Sequence, residues 1–168
     1  MNDLIEAARA FAENRHSGQT DKLGHPYIAH LDDVASRVRT LGSVVVCIGW
    51  LHDCVEDTSA TLDEIEELFG GEIRDGVDAM TKRDGEDYFS EYLVRLKSNT
   101  NAILVKIADA SHNLGKAHLL ADAEPEKARC LEKKYRKVLA ELGVRVSTPE
   151  RLRFKDGGWR SAATAPKE

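Results

Sequence analysis

Residues 44–55 constrain the fold of this chain more than any other stretch, because they are its most apolar segment and carry two ionisable side chains, His52 and Asp53, near their end. The run of β-branched residues would suit a buried strand, but its length of about twelve residues favours a buried helix. No stretch reaches the roughly 20 consecutive apolar residues that a membrane span requires. The segment therefore predicts a helix at the centre of a hydrophobic core.

The rest of the chain shows helical periodicity almost throughout. Apolar residues recur at three- and four-residue spacing, and the predicted helices are 4–14, 27–40, 61–70, 72–80, 87–97, 101–120 and 125–142. Beyond Gly143 the pattern lapses, and no segment alternates convincingly as a strand does. The sequence predicts an all-α fold, with a single helical-bundle domain over residues 1–143 and a disordered or loosely packed tail over 144–168.

Composition excludes several classes of protein. The 168 residues suit one domain, and a net charge of -5 argues against binding nucleic acid through a general basic surface. The three cysteines lack paired spacing, which excludes a disulfide scaffold and suits a reducing compartment. The N-terminus lacks the basic region of a signal peptide. We expect a cytoplasmic protein without a membrane or nucleic-acid partner.

Four ionisable residues crowd the end of the most apolar segment: His52, Asp53, Glu56 and Asp57. In a helix, His52 and Glu56 are four residues apart and share a face, as do Asp53 and Asp57. Burying this much charge is costly unless a cation or hydrogen-bonding partners compensate for it. The alternative interpretation is an exposed helix end before the turn at Thr58.

A second group of polar residues lies along the predicted helix 101–120. Lys106, Asp109, Asn113 and Lys116 are spaced so that they form one stripe on that helix. A carboxylate, an amide and two cations would suit a metal-bound ligand that carries phosphate. A solvated face with lysine–aspartate pairs explains the same spacing equally well.

The order of these residues resembles a known pattern. His30, then His52-Asp53, then Asp109 follow the H…HD…D order of the HD-domain metal-dependent phosphohydrolases. Longer segments are similar to the hydrolase domain of RelA/SpoT homologues and to stand-alone small alarmone hydrolases, namely HSGQTDKLGHPYIAHLDDVA, LHDCVEDT and VKIADASHN.

This resemblance implies a metal centre in an HD-domain helical bundle. The ligands it implies are His30, His52, Asp53 and Asp109, and the metal is usually Mn²⁺. The chemistry of the set agrees, because imidazole and carboxylate donors without a thiolate favour Mn²⁺ and leave Zn²⁺ or Fe²⁺ open. The resemblance also implies that Glu56 and Asp57 orient or deprotonate the attacking water.

The resemblance further implies a nucleotide substrate. Asn113 matches a residue that contacts the nucleoside, and Lys22 and Tyr27 fall on a loop on the substrate side. Lys106 and Lys116 are candidates to neutralise a diphosphate. The implied reaction is hydrolysis of the 3′-diphosphate of (p)ppGpp to GDP or GTP plus pyrophosphate.

Two departures from the family pattern leave other functions open. Asp21 stands where the family has an arginine that packs on the guanine base, and Ala110 replaces a second arginine. The alternatives are a phosphohydrolase for another nucleotide (an adenine alarmone, NADPH or a dNTP) and, less favoured, a non-catalytic nucleotide-binding module. The sequence leaves open whether the chain forms a homo-oligomer.

Overall fold

The computed structural model describes residues 2–145 and 147–162 and is almost entirely helical, which confirms the all-α prediction. It contains two compact units, residues 1–106 and 107–168. The helices of the first unit are α1 (Asn2–Arg15), α2 (Ile28–Arg37), α3 (Ser43–Leu51), α4 (Cys54–Asp57), α5 (Leu62–Phe69), α6 (Gly71–Met80) and α7 (Leu93–Leu96). Helix α8 (Thr100–Leu119) begins in this unit. None of the described helices combines the length and apolarity that crossing a membrane demands.

Helix α3 is the centre of the first unit. It packs against α1, α2 and α6, and its residues from Val45 to Leu51 are buried. Two glycines permit close packing: a Cβ on Gly49 would lie 3.0 Å from the Cα of Ala35, and one on Gly76 would lie 2.2 Å from Cδ1 of Ile48. A helix buried on all sides needs an apolar sequence without a polar stripe, as this segment has.

The predicted helix 44–55 is interrupted at its charged end. Helix α3 ends at Leu51, and α4 begins only at Cys54, so His52 and Asp53 form a turn between them. The backbone of Asp53 (φ -101°, ψ -3°) lies in the sparsely populated bridge region. Hydrophobic periodicity did not reveal this interruption, because the apolar pattern continues through Cys54 and Val55.

Local capping explains other boundaries. Thr61 forms the capping box expected from its spacing: its hydroxyl accepts from the backbone of Glu64 at 3.2 Å, and the Glu64 carboxylate accepts from the backbone of Thr61 at 3.0 Å. The predicted helix 87–97 instead forms a π-helical turn (Tyr88–Tyr92) followed by α7. The Asp87 side chain caps this turn by accepting from the backbone nitrogens of Phe89 and Ser90.

The second unit contains the rest of α8, helix α9 (Pro125–Glu141) and an antiparallel hairpin. Strands β1 (Leu152–Lys155) and β2 (Gly158–Ser161) correct the prediction of a disordered or loosely packed tail over these residues. Leu152 is buried, and its backbone nitrogen donates to the Ser111 hydroxyl at 3.1 Å. Leu152 and Phe154 alternate with Arg153 and Lys155, but four residues are the minimum length at which alternation indicates a strand, so the signal was weak. The tail prediction for residues 146 and 163–168 lies outside the described residues, and the boundary at 143 stays a prediction.

Candidate metal and catalytic site

Two buried histidines form the base of the site. His30 lies on α2 and is 4% exposed, and His52 follows α3 and is 1% exposed. Each presents a ring nitrogen within 4.8 Å of the other. Nδ1 of His52 lies 2.9 Å from the carbonyl oxygen of Gly49. Because a carbonyl can only accept, Nδ1 carries the proton and Nε2 presents its lone pair, which is the tautomer that a metal ligand requires.

Both imidazoles approach one carboxylate. Oδ2 of Asp53 lies 3.1 Å from Nε2 of His52 and 3.4 Å from Nε2 of His30. Burial alone would raise the pKa of Asp53, but protons on the two imidazole nitrogens that face it outweigh burial and hold the pKa well below the ordinary value. A lone pair and a carboxylate oxygen repel at this distance unless a proton or metal cation balances them. The donor set therefore fits a divalent cation.

Tyr27 joins the two aspartates. Its hydroxyl lies 2.6 Å from Oδ2 of Asp53 and 3.1 Å from Oδ2 of Asp57, so both carboxylates compete for its single proton. Its ring stacks on the imidazole of His16, with ring centres 5.0 Å apart. The sequence predicted Tyr27 as a substrate contact. The structure places its hydroxyl against the carboxylates instead of leaving it on an open loop.

His16 and Gln19 extend this arrangement, and sequence reasoning missed both. His16 is 2% exposed, and its Nδ1 lies 2.7 Å from Oε1 of Gln19. The Gln19 amide in turn donates to the backbone carbonyl of Asp57 at 3.0 Å. The available signal was the HSGQT segment, whose histidine and glutamine read as ordinary polar loop residues.

Glu56 and Asp57 are carboxyls adjusted by their surroundings. Burial raises the pKa of both groups, and the nearby Asp53 charge raises each further. The backbone N–H of Lys82 donates to Oε2 of Glu56 at 2.8 Å and opposes the rise at Glu56. A carboxyl with a raised pKa is a better proton acceptor than a free one, as a general base requires.

Lys106 lies among aromatic rings. It is 8% exposed, and its ammonium lies 5.4 Å from the centre of the Tyr92 ring and 5.7 Å from that of Tyr88. This is the geometry of a cation–π contact. Its charge also lowers the pKa of Glu56. The lysine predicted to meet a diphosphate is thus partly engaged by the protein itself.

The loop that carries Lys22 is ordered by its neighbour. The Asp21 carboxylate accepts from the backbone nitrogens of Leu23 at 2.8 Å and His25 at 3.0 Å. This aspartate therefore closes its own loop, whereas the Lys22 side chain is exposed. The position at which the family pattern has a base-packing arginine is here part of a turn.

In the second unit, the predicted residues lie on α8. Asp109 is 5% exposed, and its Oδ1 accepts from the side-chain amide of Asn113 at 2.5 Å. Asn113 and Lys116 are half-buried. The amide predicted to contact a nucleoside thus orients a predicted metal ligand, which is a common arrangement around metal-binding carboxylates.

The chain matches the HD domain family model over residues 8–148. A Synechocystis protein named probable guanosine-3′,5′-bis(diphosphate) 3′-pyrophosphohydrolase is 34% identical over 85% of this chain. A Myxococcus xanthus protein named GTP pyrophosphokinase is 33% identical over 67% of the chain. The aligned regions are 20% and 17% of these relatives, so the chain spans about a fifth of their length.

The fold also matches a solved structure. The structure titled as a metazoan orthologue of SpoT that hydrolyses ppGpp and plays a role in starvation responses has a TM-score of 0.74. The match covers 88% of this chain and 89% of that one at 22% sequence identity. The two proteins share a fold.

Proposed function

The chain belongs to the HD domain family, and from that membership we propose that it is a metal-dependent hydrolase of nucleotide 3′-diphosphates. The substrate we propose is (p)ppGpp, with GDP or GTP and pyrophosphate as products. The observation that carries the proposal is the pair Glu56 and Asp57 beside a carboxylate that two buried imidazoles approach. The name of the Synechocystis relative supports the choice of substrate.

We propose that two imidazoles and two carboxylates bind the metal: His30, His52, Asp53 and Asp109. The approach of both imidazoles to Oδ2 of Asp53 supports this set. The burial of Asp109, which accepts a hydrogen bond from the Asn113 amide, supports it as well. Oxygen and imidazole donors without a thiolate favour Mn²⁺, and the same residues suit Zn²⁺ or Fe²⁺. A divalent ion there supplies Lewis-acid polarisation of a phosphoryl group and a more acidic water.

Glu56 is the general base of the proposed reaction. Its raised pKa makes it an effective proton acceptor, and the Lys82 amide fixes one of its oxygens. Asp57 orients the water, and its own position is set by Gln19 and Tyr27. The water oxygen bonds to the phosphorus next to the ribose while the bond from that phosphorus to the 3′ oxygen breaks. The proton taken by Glu56 returns to the leaving ribose oxygen.

The predicted substrate contacts differ in how much the protein engages them. Lys22 is exposed and Lys116 is half-buried, so we assign both to the charges of the diphosphate. Lys106 contributes its charge from within an aromatic pair. Tyr27 and Asn113 each donate a hydrogen bond to a carboxylate that we propose as a metal ligand, and we assign each to a contact with the substrate.

A second candidate is hydrolysis of a different nucleotide on the same scaffold. The observation that favours it is Asp21, whose carboxylate turns into its own loop and cannot stack on a base as arginine does. Ala110, where the family pattern has a second arginine, is fully buried. An adenine alarmone, NADPH or a dNTP would then be the substrate.

We place this activity in the cytoplasm, where nucleotide substrates and reduced thiols are found. The three cysteines are free thiols.

A turnover panel tests the proposal. The purified chain is assayed with Mn²⁺ against ppGpp, ppApp, NADPH and dNTPs, with EDTA as the control. We expect preferential release of pyrophosphate from ppGpp, abolished by EDTA. Preference for another nucleotide would favour the second candidate. Failure of every substrate, with metal bound, would contradict an enzymatic function.

A further inference from the structure

Arg95 lies on α7, and nothing in its sequence position marks it for the reaction. Its side chain is 22% exposed, and its guanidinium donates to four acceptor atoms on three residues. Nη1 donates to the carbonyl of Asp78 at 3.0 Å, and Nη2 donates to the carbonyl of Thr81 at 2.8 Å. Nε and Nη2 also donate to the two oxygens of Glu86, at 2.8 and 2.9 Å.

These contacts hold the end of α6. The last carbonyls of a helix lack the partners that its interior carbonyls have, and here two side chains from another segment donate to carbonyls at and just beyond this end. Arg95 binds the carbonyls of Asp78 and Thr81, and the Tyr92 hydroxyl donates to that of Met80 at 2.7 Å. Both donors come from the segment that begins with the π-helical turn.

The peptide that Arg95 binds is the one that binds Glu56. The carbonyl of Thr81 and the N–H of Lys82 belong to the same peptide group. Arg95 contacts its oxygen, and Glu56 accepts from its nitrogen at 2.8 Å. A cation on the carbonyl oxygen polarises the group and makes its N–H a stronger donor.

Glu86 fixes the other side of the same residue. Its Oε2 accepts from the backbone nitrogen of Arg83 at 2.8 Å, and both of its oxygens bind Arg95. Lys82 therefore lies between two peptide groups that one ion pair holds in place.

We infer that Arg95 is a positioning residue that orients Glu56 through the peptide group between Thr81 and Lys82. This inference rests on the proposed role of Glu56 as general base. The guanidinium does not touch substrate and acts only through this peptide. Without Arg95, the Lys82 peptide holds the Glu56 carboxylate less firmly, and the carboxylate can rotate away from the orientation in which it accepts a proton.

The test compares Arg95→Gln and Arg95→Lys with Arg74→Gln as the matched control. Arg74 also lies on the first unit and pairs with carboxylates, those of Glu66 and Asp75, but contacts no backbone of residues 81–83. The first readout is exchange of the Lys82 amide proton with water, measured by NMR. We expect about tenfold faster exchange in Arg95→Gln, equivalent to a hydrogen bond of ~1.4 kcal/mol, and no change in Arg74→Gln.

The second readout is kinetic coupling to Glu56. We expect Arg95→Gln to lower kcat about tenfold with KM unchanged, and to cost nothing further in the Glu56→Gln background. A merely structural role would give the same fold loss in both backgrounds and would overturn the inference. If Arg95→Gln does not fold, Arg95→Lys, which keeps the charge without the planar fork, is read in the same way.

The amide measurement separates this inference from the proposed function. Unchanged Lys82 exchange in a folded Arg95 variant overturns the inference whether or not the chain hydrolyses a nucleotide. A wild-type protein that hydrolyses nothing contradicts the proposed function, and the exchange rates still decide whether Arg95 holds the peptide that binds Glu56.

Discussion

Asp53 is the residue on which the site converges. Two imidazole nitrogens and a tyrosine hydroxyl all lie within 3.4 Å of its Oδ2. Imidazole lone pairs repel an ionised carboxylate oxygen at these distances, so this crowding is stable only when a proton or a metal cation lies between them. The turn between α3 and α4 makes this convergence on Asp53 possible, because it separates Asp53 from the regular helix that the sequence predicts.

Tyr27 is the residue whose removal tests this convergence. Tyr27→Phe keeps the ring that stacks on His16 but deletes the hydroxyl shared by Asp53 and Asp57. Hydrogen bonds to charged groups contribute about 1.5–3 kcal/mol, so we expect kcat/KM to fall about tenfold to a hundredfold. Steady-state kinetics measures this, with bound metal determined alongside. Unchanged kcat/KM at full metal content would show that the hydroxyl plays no part.

The residues that we propose as metal ligands and acid–base groups could be identified from the sequence, but the residues that support them could not. His30, His52 and Asp53 follow from a sequence pattern, and the structure brings them together. Gln19 acts through a backbone carbonyl, and Arg95 acts through a peptide group. Such contacts depend on which segments meet in the folded chain, and they produce no regular spacing of residues that sequence analysis could recognise.

Helix α3 shows which features of a single element the sequence predicts. Its apolar character predicted a buried helix, and the structure confirms it. The glycines that let α2 and α6 approach it were not predictable, because periodicity does not say which helix faces meet. The hairpin of the second unit escaped prediction for the related reason that its strands are short.

Gly76 tests the contact between α3 and α6. A methyl group at Gly76→Ala would meet the buried side chain of Ile48, and overpacking of this kind costs about 1–3 kcal/mol. We expect a free energy of unfolding lower by that amount, measured by urea denaturation. Gly71→Ala is the control, because on the same helix its Cβ would lie no nearer than 3.8 Å to Glu66. Equal stability of both variants would contradict this packing.

The ion pair of Glu86 and Arg95 predicts a pH dependence for the segment after α6. The Arg95 guanidinium, helped by the backbone of Arg83, lowers the pKa of Glu86 to about 2. A carboxyl with a depressed pKa stabilises the fold above its unfolded pKa, about 4.3, and loses that contribution as the pH falls toward the folded value. The stability difference between wild type and Glu86→Gln should therefore shrink as the pH falls through this range.

Urea denaturation at several pH values measures that difference. Glu67→Gln is the control, because it makes the same chemical change at an exposed carboxyl on α5. A constant difference for Glu86→Gln across the acidic range would show that the ion pair does not stabilise the fold.

At the scale of the whole molecule, charge and substrate oppose one another. The chain carries a net charge of -5, and the proposed substrate is a polyanion. Attraction must therefore be local, from the metal and from lysines such as Lys22 and Lys116, because the protein as a whole repels an anion. If the proposed function is correct, we therefore expect binding of the nucleotide to depend on the metal.

The extent of the chain that is shared with relatives is also a property of the whole molecule. The matched relatives are about five to six times as long as the region they share with this chain. The family match extends over residues 8–148 and so includes every residue that we place in the site.

Pyrophosphate release from ppGpp, measured together with bound manganese in wild type, Glu56→Gln and Asp53→Ala, tests the central claim most directly. Asp53→Ala should lose metal and activity together, since it removes a ligand. Glu56→Gln should bind manganese as the wild type does and turn over about 10²–10⁴ times more slowly, the usual effect of removing a general base. Near-normal turnover by manganese-loaded Glu56→Gln would contradict the account.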